Sequence, residues 1–323
     1  MASEVEPELE RSILATLAYF DVFDYPLRVE EVWQWLYAVG HDEAEVVKTA
    51  QPVDVHRGLN DLVKRGVVDR AGSFVMLPGR SAIVATRMAR KAACQRKWRR
   101  ARFVSSLLRF VPFVRFVGVV NTLAIDNAKP ESDIDFFIIV KSGRIWMTRA
   151  AVTLLVHTLG IRRHGNRVTN RVCLSLYMSD GNLSMERYSL EQSDPYLTFW
   201  STQVVPLFDR GGTWEQFRRA NIWVMEKIPN GFAVTPAPFR GDLVMAKLWR
   251  GAWEWLLGGR LGNALERVAR FLQLKFMERK RQSRRLRPTT DVVVNDEIMK
   301  FHEQDRRQYY RDAFRQRLVR VTG

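Results

Sequence analysis

Two aspartates at the start of an apolar stretch are the side chains best placed to do chemistry. Residues 133–140 read D-I-D-F-F-I-I-V, and the β-branched and aromatic residues predict a buried strand. Residues i and i+2 of a strand share a face, so Asp133 and Asp135 should point the same way. Two like charges beside an apolar strand are costly unless a cation lies between them. Mg²⁺, or Mn²⁺, is therefore the expected partner.

The segments before this strand place the aspartates in a wider pattern. Residues 116–120 predict an earlier strand, residues 122–128 have helical spacing, and residues 129–132, K-P-E-S, predict a turn. The arrangement resembles the nucleotidyltransferase superfamily of the polymerase-beta type. In that family a strand, a Gly-Ser or Gly-Gly pair, a short spacer and an Asp-apolar-Asp strand follow one another. Asn121 and Thr122 occupy the Gly-Ser position in this chain.

The resemblance implies a chemistry and a set of binding residues. Asp133 and Asp135 would be the catalytic residues and would hold two Mg²⁺ ions, which clamp the triphosphate of an NTP such as ATP and activate an acceptor hydroxyl. Backbone N–H groups and one hydroxyl of the Gly-Ser element would hold the β- and γ-phosphates. Arginines after the strand could approach the triphosphate or could face solvent. The residues expected to bind the nucleotide are Asn121, Thr122, Ser132, Arg144 and Arg149.

The chain departs from the family pattern at two places. Asn121 replaces a glycine, and its side chain narrows the approach of a phosphate. The family also carries a third carboxylate on a later strand, here residues 171–178, where Ser175 stands about at the acidic position. Asp180 lies just beyond that strand and is a weak substitute. A basic turn before the strand, residues 161–171, could lie near the rim of the site.

Two functions remain open on this evidence. The first is a Mg²⁺-dependent nucleotidyltransferase that moves a nucleoside monophosphate from an NTP to a hydroxyl acceptor, such as a nucleic-acid end. The second is a catalytically degenerate protein of the same fold that binds nucleotide or nucleic acid as a regulator.

The uneven charge suggests a polyanionic partner. Residues 1–80 carry a net charge of −6, whereas residues 81–115 and residues 246–323 each carry +10. Such basic blocks are typical of proteins that bind RNA or DNA, and an anionic membrane surface is the less favoured alternative. The cations of residues 81–115 could instead face the acidic N-terminal region.

The pattern of elements predicts an α+β protein in four parts. Helical spacing and a hairpin signal give residues 1–80 the element order of a winged-helix-like domain, although its acidity favours a packing role over DNA reading. Residues 81–115 predict a basic linker helix, and residues 116–180 a nucleotidyltransferase core with a mixed sheet and helices. Residues 181–323 predict a helical, basic C-terminal region.

The C-terminal region contains two features with open interpretations. Trp249, Trp253 and Trp255 predict a core or helix-hairpin seam, with an interfacial membrane face as the alternative. Residues 295–318 predict a charged helix whose interleaved Arg and Tyr side chains suit single-stranded nucleic acid, or else a solvated helix.

Cysteine usage and hydropathy suggest a cytoplasmic location. Cys94 and Cys173 lack the spacing of a zinc site or a disulfide framework. The acidic first residues do not resemble a signal peptide. No stretch approaches the ~18 uninterrupted apolar residues of a membrane span.

Overall fold

The computed structural model describes residues 7–165, 167–191, 193–233, 242–279, 292–301 and 305–322. These residues form twelve α-helices and two β-sheets, one of three strands and one of six. The predicted α+β class is therefore confirmed. Residues 280–287, a densely cationic part of the basic C-terminal region, lie outside the described residues.

The first sheet and four helices form an N-terminal unit. Its elements in chain order are α1 (Pro7–Asp21), β1 (Leu27–Arg28), α2 (Val29–Gln34), α3 (His41–Thr49), α4 (Pro52–Lys64), β2 (Asp69–Ala71) and β3 (Phe74–Met76). The strands pair antiparallel in the order β1-β3-β2. Helix α4 begins at Pro52, because proline suits a first helical turn and the Asp54 carboxylate accepts the Gln51 N–H at 3.0 Å.

The core of the N-terminal unit is completed by residues from much later in the chain. Phe199, Ile228 and Phe314 are buried in the same cluster as the apolar face of α1. The rings of Tyr19 and Phe199 stack with their centroids 3.8 Å apart. The N-terminal unit thus packs against the rest of the protein through helix α1.

The second sheet forms the centre of the molecule. Its elements and the helices around it, in chain order, are α5 (Ile83–Leu108), β4 (Val114–Val119), α6 (Asn121–Ala124), β5 (Ile134–Val140), α7 (Ile145–Thr158), β6 (Val172–Ser179), α8 (Pro195–Thr202), β7 (Val205–Asp209), α9 (Thr213–Ala220), α10 (Val244–Leu256), α11 (Arg260–Arg279), β8 (Val292–Val294), β9 (Ile298–Phe301) and α12 (Arg307–Thr322). The strand order is β7-β4-β5-β6-β9-β8, and β5 and β6 are its parallel pair.

Strand β5 separates two apolar layers. Ile134, Phe136 and Ile138 face the cluster built with α5 and α7, whereas Phe137 and Ile139 face the cluster built with α8 and α9. Alternation along the strand therefore puts Asp133 and Asp135 on the side of α8.

The C-terminal region contributes strands as well as helices, so the helix predicted over residues 295–318 is wrong in its first part. Residues 298–301 form β9, which pairs antiparallel with both β6 and β8. The reason lies in residues 292–301, V-V-V-N-D-E-I-M-K-F, where apolar runs flank a polar turn. Asn295 closes that turn, because its Oδ1 accepts the N–H groups of Glu297 and Ile298.

Many cations of α5 contact other parts of the protein. Arg87 makes two hydrogen bonds to Glu31, at 2.7 and 2.6 Å, and Arg90 donates to Phe23 O at 2.9 Å. The acidic N-terminal unit is therefore one partner of this helix, in line with the second interpretation of the basic segment. Four cations of the helix remain exposed, namely Lys91, Arg96, Arg99 and Arg102.

The tryptophans of α10 do not form a core seam, and that prediction is wrong. Trp255 is 85% exposed and Trp249 52% exposed. The stripe that packs inward instead carries Ala246, Arg250 and Glu254, because both charged side chains find partners beneath it. Among the described residues, no helix is long and apolar enough to cross a membrane.

Candidate functional site

The turn after β4 brings Asn121 onto the sheet edge beside the aspartates. Asn121 has a φ of 61°, in the left-handed region. Glycine adopts this conformation without strain, and asparagine tolerates it better than most residues. The chain therefore makes a left-handed turn at Asn121, immediately after β4.

The Asn121 side chain links the strand to helix α8. Its Nδ2 donates to Asp135 Oδ2 at 2.9 Å, and its Oδ1 accepts from Tyr196 Oη at 3.2 Å and Trp200 Nε1 at 3.0 Å. A glycine would leave this space open. The amide thus holds one carboxylate in place and also covers the approach from the side of α8.

Asp133, Asp135 and Cys173 form an acidic cluster. One ligand atom from each lies within 4.8 Å of the other two. Cys173 reaches the cluster because β5 and β6 run parallel with Asp135 opposite Cys173, followed by a register shift. Cys173 therefore stands where Ser175 was expected to mark the third acidic position.

Asp180, considered as a substitute acid, lies at the other end of β6. Its Oδ1 accepts the Ser142 N–H at 2.7 Å, and its Oδ2 lies 3.6 Å from Arg115 Nε. These partners fix it beyond the carboxyl ends of β5 and β6. Since Asp133 precedes the start of β5, Asp180 cannot serve the acidic cluster.

Arg163 supplies a cation to the cluster from within the chain. Its Nη1 lies 2.7 Å from Asp133 Oδ2 and 3.8 Å from Cys173 Sγ. The main chain positions this side chain, because the Arg163 N–H donates to Val172 O at 2.9 Å. The basic turn of residues 161–171 therefore does lie at the rim, with Arg163 directed at Asp133.

Burial raises the pKa values of two groups in the cluster. Burial, and then the neighbouring Asp133 charge, raises the pKa of Asp135 from 3.8 to about 6. Burial likewise raises the pKa of the Cys173 thiol well above its ordinary value. Both shifts show that burial disfavours negative charge at this place, so additional positive charge would stabilise the cluster.

The donor set fits a divalent cation. Carboxylate oxygens are the ligands that Mg²⁺ and Mn²⁺ prefer, and Asp133 and Asp135 each direct one into the cluster. The sulfur of Cys173 is a softer ligand that suits Mg²⁺ poorly. The two aspartates are accordingly the residues that would hold Mg²⁺.

Of the other residues expected to bind nucleotide, two lie near the acidic cluster and two lie beyond the opposite end of β5. Thr122 is exposed next to Asn121, and Ser132 adjoins Asp133, with its hydroxyl donating to Lys129 O at 2.9 Å. Arg144 and Arg149 follow the far end of β5. Arg144 donates to Gly258 O at 2.8 Å, and the Arg149 guanidinium lies over the Phe301 ring.

Lys97 of α5 fixes the turn that carries Asp133. Its buried ammonium group donates to Pro130 O at 3.0 Å, Ser132 O at 2.6 Å and Asn170 Oδ1 at 2.9 Å. Burial lowers the pKa of Lys97. This cation of the basic segment is therefore used inside the protein, immediately behind the acidic cluster.

We expect Lys97→Met to lower the free energy of unfolding by about 1–3 kcal/mol, because three acceptors lose a buried charged donor. Urea denaturation measures this change, and hydrogen exchange should show faster amide exchange in residues 129–134. Arg96→Met, at an exposed position of the same helix, should change neither quantity. Equal effects of the two variants would contradict this role of Lys97.

An aromatic pocket adjoins Asn121 on the side of α8. It encloses about 170 Å³, and its lining includes Asn121, Tyr188, Tyr196, Trp200, Lys300 and Tyr310. Tyr196 and Tyr310 stack with ring centroids 5.3 Å apart. Flat rings with nearby cations are the surroundings in which a nucleobase and its phosphates are commonly bound.

Cys173, Arg163, Tyr196 and Trp200 were not predicted as individual site residues, although the basic turn that contains Arg163 was expected near the rim. Cys173 depends on the register of β5 and β6, and Arg163 on how the turn before β6 folds back, and the sequence reveals neither. Tyr196 and Trp200 are four residues apart on a predicted helix, so their shared face could have been noted.

Comparison of the chain with protein-family models, with curated proteins and with solved structures gives no match.

Proposed function

We propose that the chain binds a nucleoside triphosphate through a divalent cation at the acidic cluster and transfers its nucleoside monophosphate to a hydroxyl acceptor. The observation that carries this proposal is the meeting of Asp133, Asp135 and Cys173 within 4.8 Å beside the left-handed turn at Asn121. The resemblance of residues 116–140 to the sequence pattern of the polymerase-beta type of nucleotidyltransferase supports the choice of reaction.

Each residue has a role in this proposal. Asp133 and Asp135 would hold Mg²⁺ or Mn²⁺, which when bound neutralises phosphate charge and stabilises the charge that develops during transfer. The exposed Thr122 hydroxyl would donate to a phosphate oxygen, and the aromatic pocket would take the base. Asn121 keeps Asp135 oriented through its 2.9 Å hydrogen bond.

A second candidate is nucleotide binding without transfer, acting in regulation. Two observations favour it. Arg163 Nη1, 2.7 Å from Asp133 Oδ2, already supplies positive charge to the cluster. Cys173 stands at the third acidic position, and a protonated thiol is a poor base for an acceptor hydroxyl.

The N-terminal unit would serve this function as a winged-helix-like packing module. Its three-stranded sheet and helices support that fold. The contact between Tyr19 and Phe199 ties it to α8, which also carries Tyr196 and Trp200. A nucleic-acid acceptor would have Lys91, Arg96, Arg99 and Arg102 available to it on α5.

Ligand-dependent stability tests nucleotide binding. We expect at least one of the four NTPs at millimolar concentration to raise the Tm in the presence of Mg²⁺ or Mn²⁺. A ligand at 100 times its Kd adds about 2.7 kcal/mol to the free energy of unfolding. Asp133→Ala/Asp135→Ala should abolish the shift. Glu131→Ala, which removes an exposed carboxylate from the same turn, should retain it.

Pyrophosphate release then separates the two candidates. Release that requires an acceptor and is lost in the double variant supports transfer, whereas a metal-dependent shift without release supports the binding protein. If no NTP shifts the Tm with either cation, both candidates fail.

A further inference from the structure

Helix α10 buries charged side chains and exposes apolar ones. Arg250 is 1% exposed and donates to Arg109 O and Asp242. Glu254 accepts from Phe113 N at 2.7 Å and forms an ion pair with Arg210 at 2.6 Å. The opposite side of the helix carries Val244, Met245, Leu248 and Trp255, which are 71%, 77%, 70% and 85% exposed. This polarity is the reverse of that of an ordinary surface helix.

Helix α11 is also anchored by polar contacts, although Ala269, Leu274 and Met277 pack against the central core. Glu266 accepts from the N–H groups of Trp146 and Met147 at 2.8 and 2.9 Å. Gln273 donates to Trp146 O at 2.8 Å. Another side of α11 exposes four apolar side chains at helical spacing, namely Leu261, Leu265, Val268 and Leu272. We call these four residues, together with the exposed apolar residues of α10 named above, the apolar face.

Exposed apolar side chains are concentrated on α10 and α11. Among the described residues, thirteen of the twenty-two exposed large apolar side chains lie within residues 243–272. Exposed apolar side chains concentrated in this way in one stretch of the chain are typical of a binding site. Both helices are anchored by buried polar contacts, so the face is held outward by the fold.

The charge around the face identifies its partner. Residues 243–287 contain twelve Lys and Arg residues but only three Glu residues. Two of those, Glu254 and Glu266, are engaged beneath the helices. Exposed cations border the apolar side chains at Lys247, Arg260, Arg267, Lys275 and Arg279. An anionic surface with an apolar interior complements this combination.

A second copy of the chain complements the face less well. A symmetric pair would bring two strongly basic surfaces together, and like charges across an interface oppose association. A lipid surface, by contrast, supplies phosphate and carboxylate groups for the cations and an acyl layer for the apolar side chains. Tryptophans such as Trp249 and Trp255 suit the boundary between those layers.

We propose that α10 and α11 form an interfacial membrane-binding hairpin that lies on an anionic bilayer. The apolar face enters the boundary between headgroups and acyl chains, and the bordering cations contact the headgroups. No passage through the bilayer is involved. The proposal is independent of the nucleotide site.

Vesicle flotation with the full chain tests this inference. We expect the chain to float with vesicles of phosphatidylcholine and phosphatidylserine in a 70:30 ratio, with a blue shift of tryptophan emission. Flotation with pure phosphatidylcholine should be at least about tenfold weaker, and added salt should weaken binding to the anionic vesicles.

Two double variants distinguish binding through the apolar face from nonspecific binding by exposed apolar residues. Leu248→Glu/Trp255→Glu, both at exposed positions, should lower the affinity for anionic vesicles at least about tenfold without changing the Tm. Val53→Glu/Leu154→Glu changes exposed apolar residues elsewhere and should leave it unchanged. Absence of flotation, equal flotation with both lipid mixtures, or equal losses in both variants would overturn the proposal. So would a dimer in solution that the first variant dissociates and that does not bind vesicles.

Discussion

Replacing Arg307 by methionine is expected to lower the free energy of unfolding by about 3–5 kcal/mol. Arg307 is 5% exposed and lies at the start of α12. Its Nη1 is 2.7 Å from Asp194 Oδ2 and 2.6 Å from Tyr188 O, and its Nη2 is 2.7 Å from Asp305 Oδ2. Methionine fills similar space but leaves the buried Asp194 carboxylate without its cation. Urea denaturation followed by tryptophan fluorescence measures the loss.

Two further variants make this prediction specific. Arg320→Met removes an exposed cation from the same helix and should cost less than about 1 kcal/mol. Arg307→Met/Asp194→Asn should recover part of the loss, because the uncompensated charge is removed. Recovery will be incomplete, since Asp194 accepts with both oxygens, from the Leu197 N–H at 2.9 Å and the Leu190 N–H at 3.1 Å, whereas asparagine has only one acceptor oxygen. A loss below about 1 kcal/mol in Arg307→Met would contradict the buried ion pair as the cause.

Replacing Asp135 by asparagine is expected to stabilise the protein by about 1–3 kcal/mol at pH 7.5 without divalent cations. The pKa of Asp135 is raised to about 6 in the folded protein from 3.8, so folding binds a proton between those values. The corresponding stability is fully present below pH 3.8 and is lost as the pH rises through 6. The gain in Asp135→Asn should therefore shrink to nothing near pH 4, as urea denaturation across that range will show.

Divalent cations should reverse this difference. With saturating Mg²⁺ or Mn²⁺ the wild-type protein gains stability that the asparagine variant lacks, and EDTA removes the gain. Glu131→Gln, at an exposed carboxylate of the same turn, should match wild type at every pH. A variant no more stable than wild type at pH 7.5 in EDTA would show that the Asp135 carboxylate is not strained by burial and by Asp133.

The sequence was sufficient for the local pattern around the aspartates. Apolar runs, the turn at residues 129–132 and the i, i+2 spacing predicted β4, β5 and the shared face of Asp133 and Asp135. These features depend on neighbours in the chain, where periodicity is informative. The resemblance also directed attention to Asn121, whose left-handed backbone is a local property.

Contacts between distant segments could not be predicted in the same way. Cys173 faces Asp135 because of the register of β6, and Arg163 reaches Asp133 through a turn that folds back on that strand. The core seam predicted for the tryptophans of α10 was wrong, because apolar spacing identifies an apolar side of a helix but not which part of the protein covers it. Buried Arg250 and Glu254 decided which side of α10 packs inward, and their partners lie far away in sequence.

The packing of α12 against α1 has a consequence for the order of folding. Arg317 Nε and Asp21 Oδ2 are 2.6 Å apart although 296 residues separate them, and Phe314 completes the N-terminal core. At typical rates of synthesis, α1 leaves the ribosome roughly 15–60 s before α12 does. During that interval the part of α1 that packs against α12 stays uncovered, so the nascent N-terminal unit exposes apolar residues that are buried in the finished protein.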